Sequence, residues 1–296
     1  MSVAHVLRPA PEDGARQLFL LFPDAGQSWQ SMRLVGDVLA EVFPAAAIVA
    51  LQGPHAVAEG GCWLMRAEPG SVDGDEPDKP EGQAEGASPH AGIGGLGVGV
   101  DVVELHPAGP ASGGDLDRRT VPLALATADE PALTEAVATA LPGLIGSIRV
   151  WQAQMKVLPE ATALIGVGEG ATMALVASLA RPDDGHPVCG RVSVLGGRYV
   201  VPAGEVLPTL LLHLLHGKAD PLVHYQHTVK AAEALVKQGG DVVADIVPHE
   251  TGPVSEELVG WLMNRLMNRV PRHIWQAAMR TTNDEASNRC PSEGGN

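Results

Sequence analysis

Aromatic side chains are scarce in this chain, with three Phe, two Tyr and five Trp among 296 residues. Hydrophobic residues still make up 45%, so a core has to be built mainly from Ala, Val and Leu. Cations are also in short supply. The 20 Lys and Arg are outnumbered by 35 Asp and Glu, which leaves a net charge of −15 and a pI near 5.1. That balance excludes non-specific attachment to nucleic acid or to an anionic membrane surface. Cysteine is represented only by Cys62, Cys189 and Cys290. Their odd number and wide separation exclude a disulfide framework and a zinc-type spacing, and a reduced, cytoplasmic setting is the expectation. No apolar run reaches the length of a membrane span. The opening residues, MSVAHVLRPAPEDGARQ, lack the apolar centre of a signal peptide.

What is present is organised around Ala161 to Ser178, ATALIGVGEGATMALVAS. An apolar run leads into Gly166, Gly168 and Gly170 and then into a small, apolar stretch suited to a helix packed on a sheet. Glycine at these positions permits a sharp reversal and close packing. Strand–G-x-S-x-G–helix is the layout of a nucleophile elbow. Here the five residues are Gly166-Val167-Gly168-Glu169-Gly170, with no serine.

Strand and helix patterns alternate along the rest of the chain. Gln17 to Phe22 and Ala47 to Leu51 read as buried strands, with a helix from about Trp29 to Phe43 between them. Pro131 to Lys156 reads as a helix interrupted near Pro142-Gly143. Strands follow at Arg191 to Leu195, Thr209 to Leu215 and Asp241 to Val247, with helices at His224 to Gln238 and Ser255 to Asn268. The alternation predicts an α/β protein with a doubly wound, mainly parallel sheet flanked by helices. Residues 1–280 are expected to form one domain, interrupted by an insertion at about 68–119. Much of that insertion is acidic and Gly-rich, and its composition predicts disorder. Within it, Val98 to Leu105 reads as a short strand. Residues 281–296 form a polar tail.

Several stretches resemble the carboxylesterase/phospholipase family of α/β-hydrolases, in particular its small bacterial serine esterases. They are LFLLFPDAGQS, FPAAAIVALQGP with Gly61-Cys62-Trp63, VWQAQ, the glycine elbow, GGRYVVP, LLHGKADPLV and EALVKQGGDVVADIV. The resemblance implies an α/β-hydrolase fold and a Ser–His–Asp triad acting on an acyl carbon. It places the serine position at Gly168, the aspartate at Asp220 and the histidine at Gly252. It implies oxyanion-hole donors from the backbone of Ala25 and Glu169, with Asp24, Cys62 and Trp63 at the pocket rim. The family's His-Gly pair after its first strand is here Pro23-Asp24, and Gln is common at the position of Glu169. Loss of a triad Ser or His lowers kcat by roughly 10⁴ to 10⁶, and loss of both is little worse.

The implied function is therefore a catalytically degenerate esterase-like protein with a binding, scaffolding or regulatory role. Its partners would be a small acyl or ester ligand or another protein, and no cofactor is implied. The alternative is an unconventional ester or thioester hydrolase using Asp220 and a shifted base, His249, three positions before Gly252. A more distant reading takes Gly166-x-Gly168-x-x-Ala171 as a dinucleotide fingerprint, although no acid stands at the end of the next strand. Asp220 also reads as an ordinary Asp-Pro turn residue. His213 and His216 fall on opposite faces of a strand. His224 and His227 share a helix face without an evident third metal ligand, so no metal site is expected. Cys62 reads either as a reactive thiol or as an ordinary half-buried cysteine. The arginines at 265, 269, 272 and 280 give the C-terminal helix region a basic character.

Overall fold

The computed structural model describes residues 3–57, 60–68, 102–104, 120–252, 254–269 and 271–272. The elements run β1 (Val3–Arg8), β2 (Gln17–Phe22), a 3-10 turn (Trp29–Met32), α1 (Arg33–Val42), β3 (Ala46–Leu51), β4 (His55–Val57), β5 (Gly60–Cys62), β6 (Met65–Ala67), β7 (Val102–Glu104) and β8 (Thr120–Pro122). They continue with α2 (Glu130–Met155), β9 (Thr162–Val167), α3 (Glu169–Leu179), β10 (Arg191–Leu195), β11 (Leu211–Gly217), α4 (Gln226–Lys237), β12 (Asp241–Val247) and α5 (Glu256–Asn268).

Eight strands form one sheet in the order β12-β11-β10-β9-β2-β3-β1-β7. The six from β12 to β3 are mutually parallel, and β1 runs antiparallel to both β3 and β7. This is the doubly wound architecture that the alternating pattern predicts. The inner strands β2, β3, β9 and β11 are near-continuous apolar runs because helices cover both faces of a parallel sheet. Leu18, Leu20 and Phe22 point to the face covered by α2, α3 and α4, whereas Phe19 and Leu21 point to the face covered by α1 and α5. With so few aromatics, both layers are filled mainly by aliphatic side chains.

Three local expectations need correction. β1 is not apparent from periodicity, because its polar residues His5 and Arg8 mask the pattern. Helix α2 is not interrupted at Pro142 but runs through it. Pro142 and Gly143 lie on the exposed side, where water can serve a carbonyl that the missing N–H leaves free. The same helix is long and apolar enough to cross a membrane by length and composition. In this fold Leu133, Val137, Leu144, Ile148 and Trp151 instead bury one side of it in the core. Asp129 caps its start by accepting from the Ala132 N–H at 2.8 Å.

The strand expected within 98–105 is found as β7, paired with β1. The disorder expected across the insertion and the polar tail at 281–296 lie outside the described residues. At the helix ends, Ser255 accepts from the Leu258 N–H at 3.1 Å, and Gly239, at φ +86°, closes α4.

Candidate active site

The loops that follow β2, β9, β11 and β12 all leave the carboxyl end of the parallel sheet, where open α/β sheets place their ligand crevices. Gly168 is the turn between β9 and α3. Its φ of +54° and ψ of −115° lie in a region that side chains other than glycine adopt only with strain. Gly166 and Gly170 are required for a different reason. A Cβ on Gly166 would lie 2.3 Å from the Gly170 carbonyl oxygen, and one on Gly170 would lie 2.3 Å from that of Phe22. The chain therefore builds a sharp strand-to-helix elbow with its tip empty of side chain.

The space at the tip is filled from another strand. A Cβ on Gly168 would sit 2.1 Å from both Cγ and Oδ1 of Asp24, and 2.4 Å from Oδ2. Asp24 follows β2 in the turn Pro23-Asp24-Ala25. Its Oδ1 accepts two backbone hydrogen bonds, from Ala25 N–H at 2.8 Å and Glu169 N–H at 2.7 Å. These are the two donors that the sequence resemblance assigned to an oxyanion hole. They do converge, and a carboxylate oxygen of the chain itself lies between them. Burial raises the Asp24 pKa, the two N–H bonds oppose the rise, and the charge of Asp220 adds to it.

Glu169 is buried beside Asp24. Its Oε1 accepts from the backbone N–H groups of Trp63 and Leu64, which ties the elbow to the segment after β5. Burial pushes its pKa up to about 7; the two N–H bonds work against the rise, and Asp24 contributes to it. Cys62, at the end of β5, and Trp63, in this segment, are both buried, so neither forms a pocket rim. The Cys62 thiol is pushed up to about 11, by burial first and then by the Glu169 charge. It is an inert core cysteine and not a reactive one.

Asp220 stands at the end of the β11 loop. Its Oδ1 accepts from Leu222 N–H at 2.8 Å and Val223 N–H at 3.0 Å, the self-capping turn expected of Asp-Pro. Its nearest imidazole is His216, with Nε2 3.4 Å from Asp220 Oδ2. His249 does not meet it. That residue is exposed with φ +70° and has no hydrogen-bond partner among the described residues. The shifted His249–Asp220 dyad is not formed.

His216 was not among the site residues legible in the sequence. The only available signal was its place at a strand's carboxyl end, four residues before Asp220. It is not a free base either. Nδ1 meets the Thr228 hydroxyl at 2.6 Å and Nε2 meets the Val223 carbonyl at 2.8 Å. Burial lowers its pKa, a shift the Val223 bond and Asp220 oppose. Gly252 has open space where a Cβ would extend.

The dinucleotide reading fails on electrostatics. The Glu169 N–H at the start of α3, which a pyrophosphate would use, is held by Asp24, and Glu169 adds a second carboxyl. Among the described residues no group of three His, Cys, Asp or Glu could hold a metal ion. Ser178 donates to Leu175 O inside α3, and Ser193 is buried in β10, so neither replaces the missing nucleophile.

A model of the phospholipase/carboxylesterase family matches residues 125–259, which include the elbow, β11 and β12. The chain has the α/β-hydrolase fold. A crystal structure of esterase PE8 superposes with a TM-score of 0.60 at 19% identity, covering 89% of this chain and 97% of that one. A carboxylesterase from Mesorhizobium loti gives a TM-score of 0.54 at 13% identity, covering 86% and 90%. In sequence the chain is 27% identical to esterase YpfH of Escherichia coli K12 over 277 residues, 93% of this chain and 92% of the relative.

Proposed function

We propose that this protein is a degenerate member of the carboxylesterase/phospholipase family, with glycine at the nucleophile position (Gly168) and at the histidine position (Gly252). It would serve in binding or regulation and not in ester turnover. The observation that carries the reading is Asp24. Its carboxylate fills the space a side chain at 168 would need, and its Oδ1 takes both donors of the oxyanion hole. A serine esterase needs that hole free for the charge that develops on the substrate oxygen, and a fixed negative group there opposes the charge. The names of the relatives, esterase and carboxylesterase, bear on the ligand class, an acyl- or ester-shaped molecule.

The test is hydrolysis of p-nitrophenyl acetate and butyrate by the purified chain. The wild type is expected at buffer background, equal to Asp220→Ala. Gly168→Ser with Gly252→His is expected to remain inactive, because the new Cβ meets Asp24. Adding Asp24→Gly to that pair should raise hydrolysis above background. Wild-type turnover that Asp220→Ala abolishes would overturn the reading.

A further inference from the structure

We propose that a cleft at the amino end of the sheet, opposite the elbow, binds an amphiphilic monocarboxylate whose head is held by Arg191 and whose apolar body lies against Phe19, Phe43, Leu211 and Leu266. The cleft has a volume of about 440 Å³ and lies where β2, β9, β10 and β11 begin and α5 ends. That volume is in the range of small-molecule sites. Phe19 and Phe43, with ring centroids 5.1 Å apart, join Leu211 and Leu266 to give the cleft its apolar surface.

Arg191 supplies the charge. It is the first residue of β10, and its Nη1 donates to the Leu266 carbonyl at 2.7 Å. That carbonyl is in the last turn of α5, where helix carbonyls lack an intrahelical partner. Nε and Nη2 make no hydrogen bond to the described residues, and neither is sealed from solvent. Among the described residues no carboxylate forms an ion pair with Arg191, whereas Arg149, Arg265 and Arg269 each have one. Burial lowers the Arg191 pKa, and the charge of Arg269 lowers it further. A half-buried cation beside a like charge is costly without a counter-ion, and an incoming carboxylate relieves that cost. The Nη1 bond fixes the plane of the guanidinium. Its Nε–Nη2 edge then presents two parallel donors, the fork that matches a carboxylate.

The surroundings select among anions. Glu160 lines the same cleft and the chain carries a net charge of −15, so a multiply charged anion is disfavoured. Behind Arg191, the void it shares with Ser193 and His213 is only about 10 Å³, so the ligand's head stops at the guanidinium. The apolar surface beside the head favours an aliphatic body over a bare inorganic ion. A single carboxylate on an apolar chain meets all three conditions. The site is at the far end of the strands from Gly168 and Asp24, so it stands whether or not ester turnover is lost.

The experiment is isothermal titration of the intact protein with hexanoate, compared with hexan-1-ol and inorganic phosphate at matched ionic strength. Saturable binding of hexanoate, about tenfold or more tighter than of hexan-1-ol, is the expected result, because the alcohol lacks the charge-assisted pair. Phosphate should bind more weakly than hexanoate. Asp220→Ala, at the other end of the sheet, should bind hexanoate as the wild type does, whereas Arg191→Met should weaken binding by about tenfold or more. Hydrogen exchange of the wild type alone locates the ligand, so the test stands even if Arg191→Met folds poorly. Hexanoate should slow exchange at Arg191 and in the last turn of α5, and not at Ala25 or Glu169. No saturable binding, equal affinity for hexanoate and hexan-1-ol, tighter binding of phosphate, unchanged affinity in Arg191→Met, or protection confined to the elbow overturns the proposal.

Discussion

Two clusters of charged side chains meet the sheet of this molecule, and they are built on opposite principles. At the carboxyl ends of β2 and β9, Asp24 and Glu169 sit together with only backbone N–H groups as hydrogen-bond partners among the described residues, and Asp220 lies close enough to raise the Asp24 pKa. Beneath α5 the charges alternate. Asp245 is held by His213 at 2.9 Å and by Arg265 at 2.7 and 2.8 Å, and Asp241 by Arg269. Burial raises the pKa of Asp245, but its bonds from His213 and Arg265 outweigh that and hold it well below the usual carboxylate range. The first cluster buries carboxyls without a cation to compensate them, whereas the second uses charge pairs to fix a helix to a sheet.

The largest expected effect comes from breaking the compensated cluster. Asp245→Ala leaves a buried His213 and the Arg265 guanidinium without their acceptor and should cost about 3 kcal/mol in chemical denaturation. A folded-state pKa below the unfolded one means that Asp245 contributes stability above about pH 4, and that this is lost as pH falls. The acid-side slope of stability should therefore flatten in Asp245→Ala.

Gly168→Ser comes next. Its Cβ must displace Asp24, and its φ is strained for any side chain, so a loss of about 2–3 kcal/mol is expected. In an Asp24→Gly background the same change should cost about 1 kcal/mol, and the non-additivity measures the contact directly. Equal costs in both backgrounds would mean that Asp24 does not occupy the elbow.

Glu169→Gln should stabilise the protein by about 2 kcal/mol at pH 8, since glutamine can still accept from Trp63 and Leu64. The sign follows from a folded pKa of about 7. A carboxyl raised in the folded state favours folding below its unfolded pKa, and this support is lost as pH rises through about 7. At pH 4.5 wild type and variant should converge in Tm, and a pH-independent gain would point to packing instead. The smallest effect is expected of Ser255→Ala. It removes the cap of α5 and should cost about 1 kcal/mol without touching the acidic cluster's pH dependence.

Much of the fold was legible because the strands are apolar runs of the right length, separated by amphipathic helices with capping residues at their ends. Gly166, Gly168 and Gly170 mark the elbow in the sequence, and the backbone N–H groups of Ala25 and Glu169, named together by resemblance, both donate to Asp24 Oδ1. The partners of Asp220 were not legible. His249 lay near it along the loop pattern, yet the left-handed turn at 249 leaves that ring exposed, while His216 reaches Asp220 from the end of β11. Cys62 and Trp63 looked like rim residues because their segment adjoins the site, but Glu169 draws that segment inward through its backbone.

The sequence by itself determined the sheet order's raw material, the empty elbow tip and the acidic character of the surrounding loops, because periodicity, glycine and charge act locally. Only the tertiary structure decided what fills the tip. Asp24 and Gly168 lie far apart in the chain, and their meeting depends on β2 and β9 pairing in parallel, with Phe22 beside Gly166. That register carries the Asp24 carboxylate onto the Glu169 N–H, and no local pattern encodes such a contact.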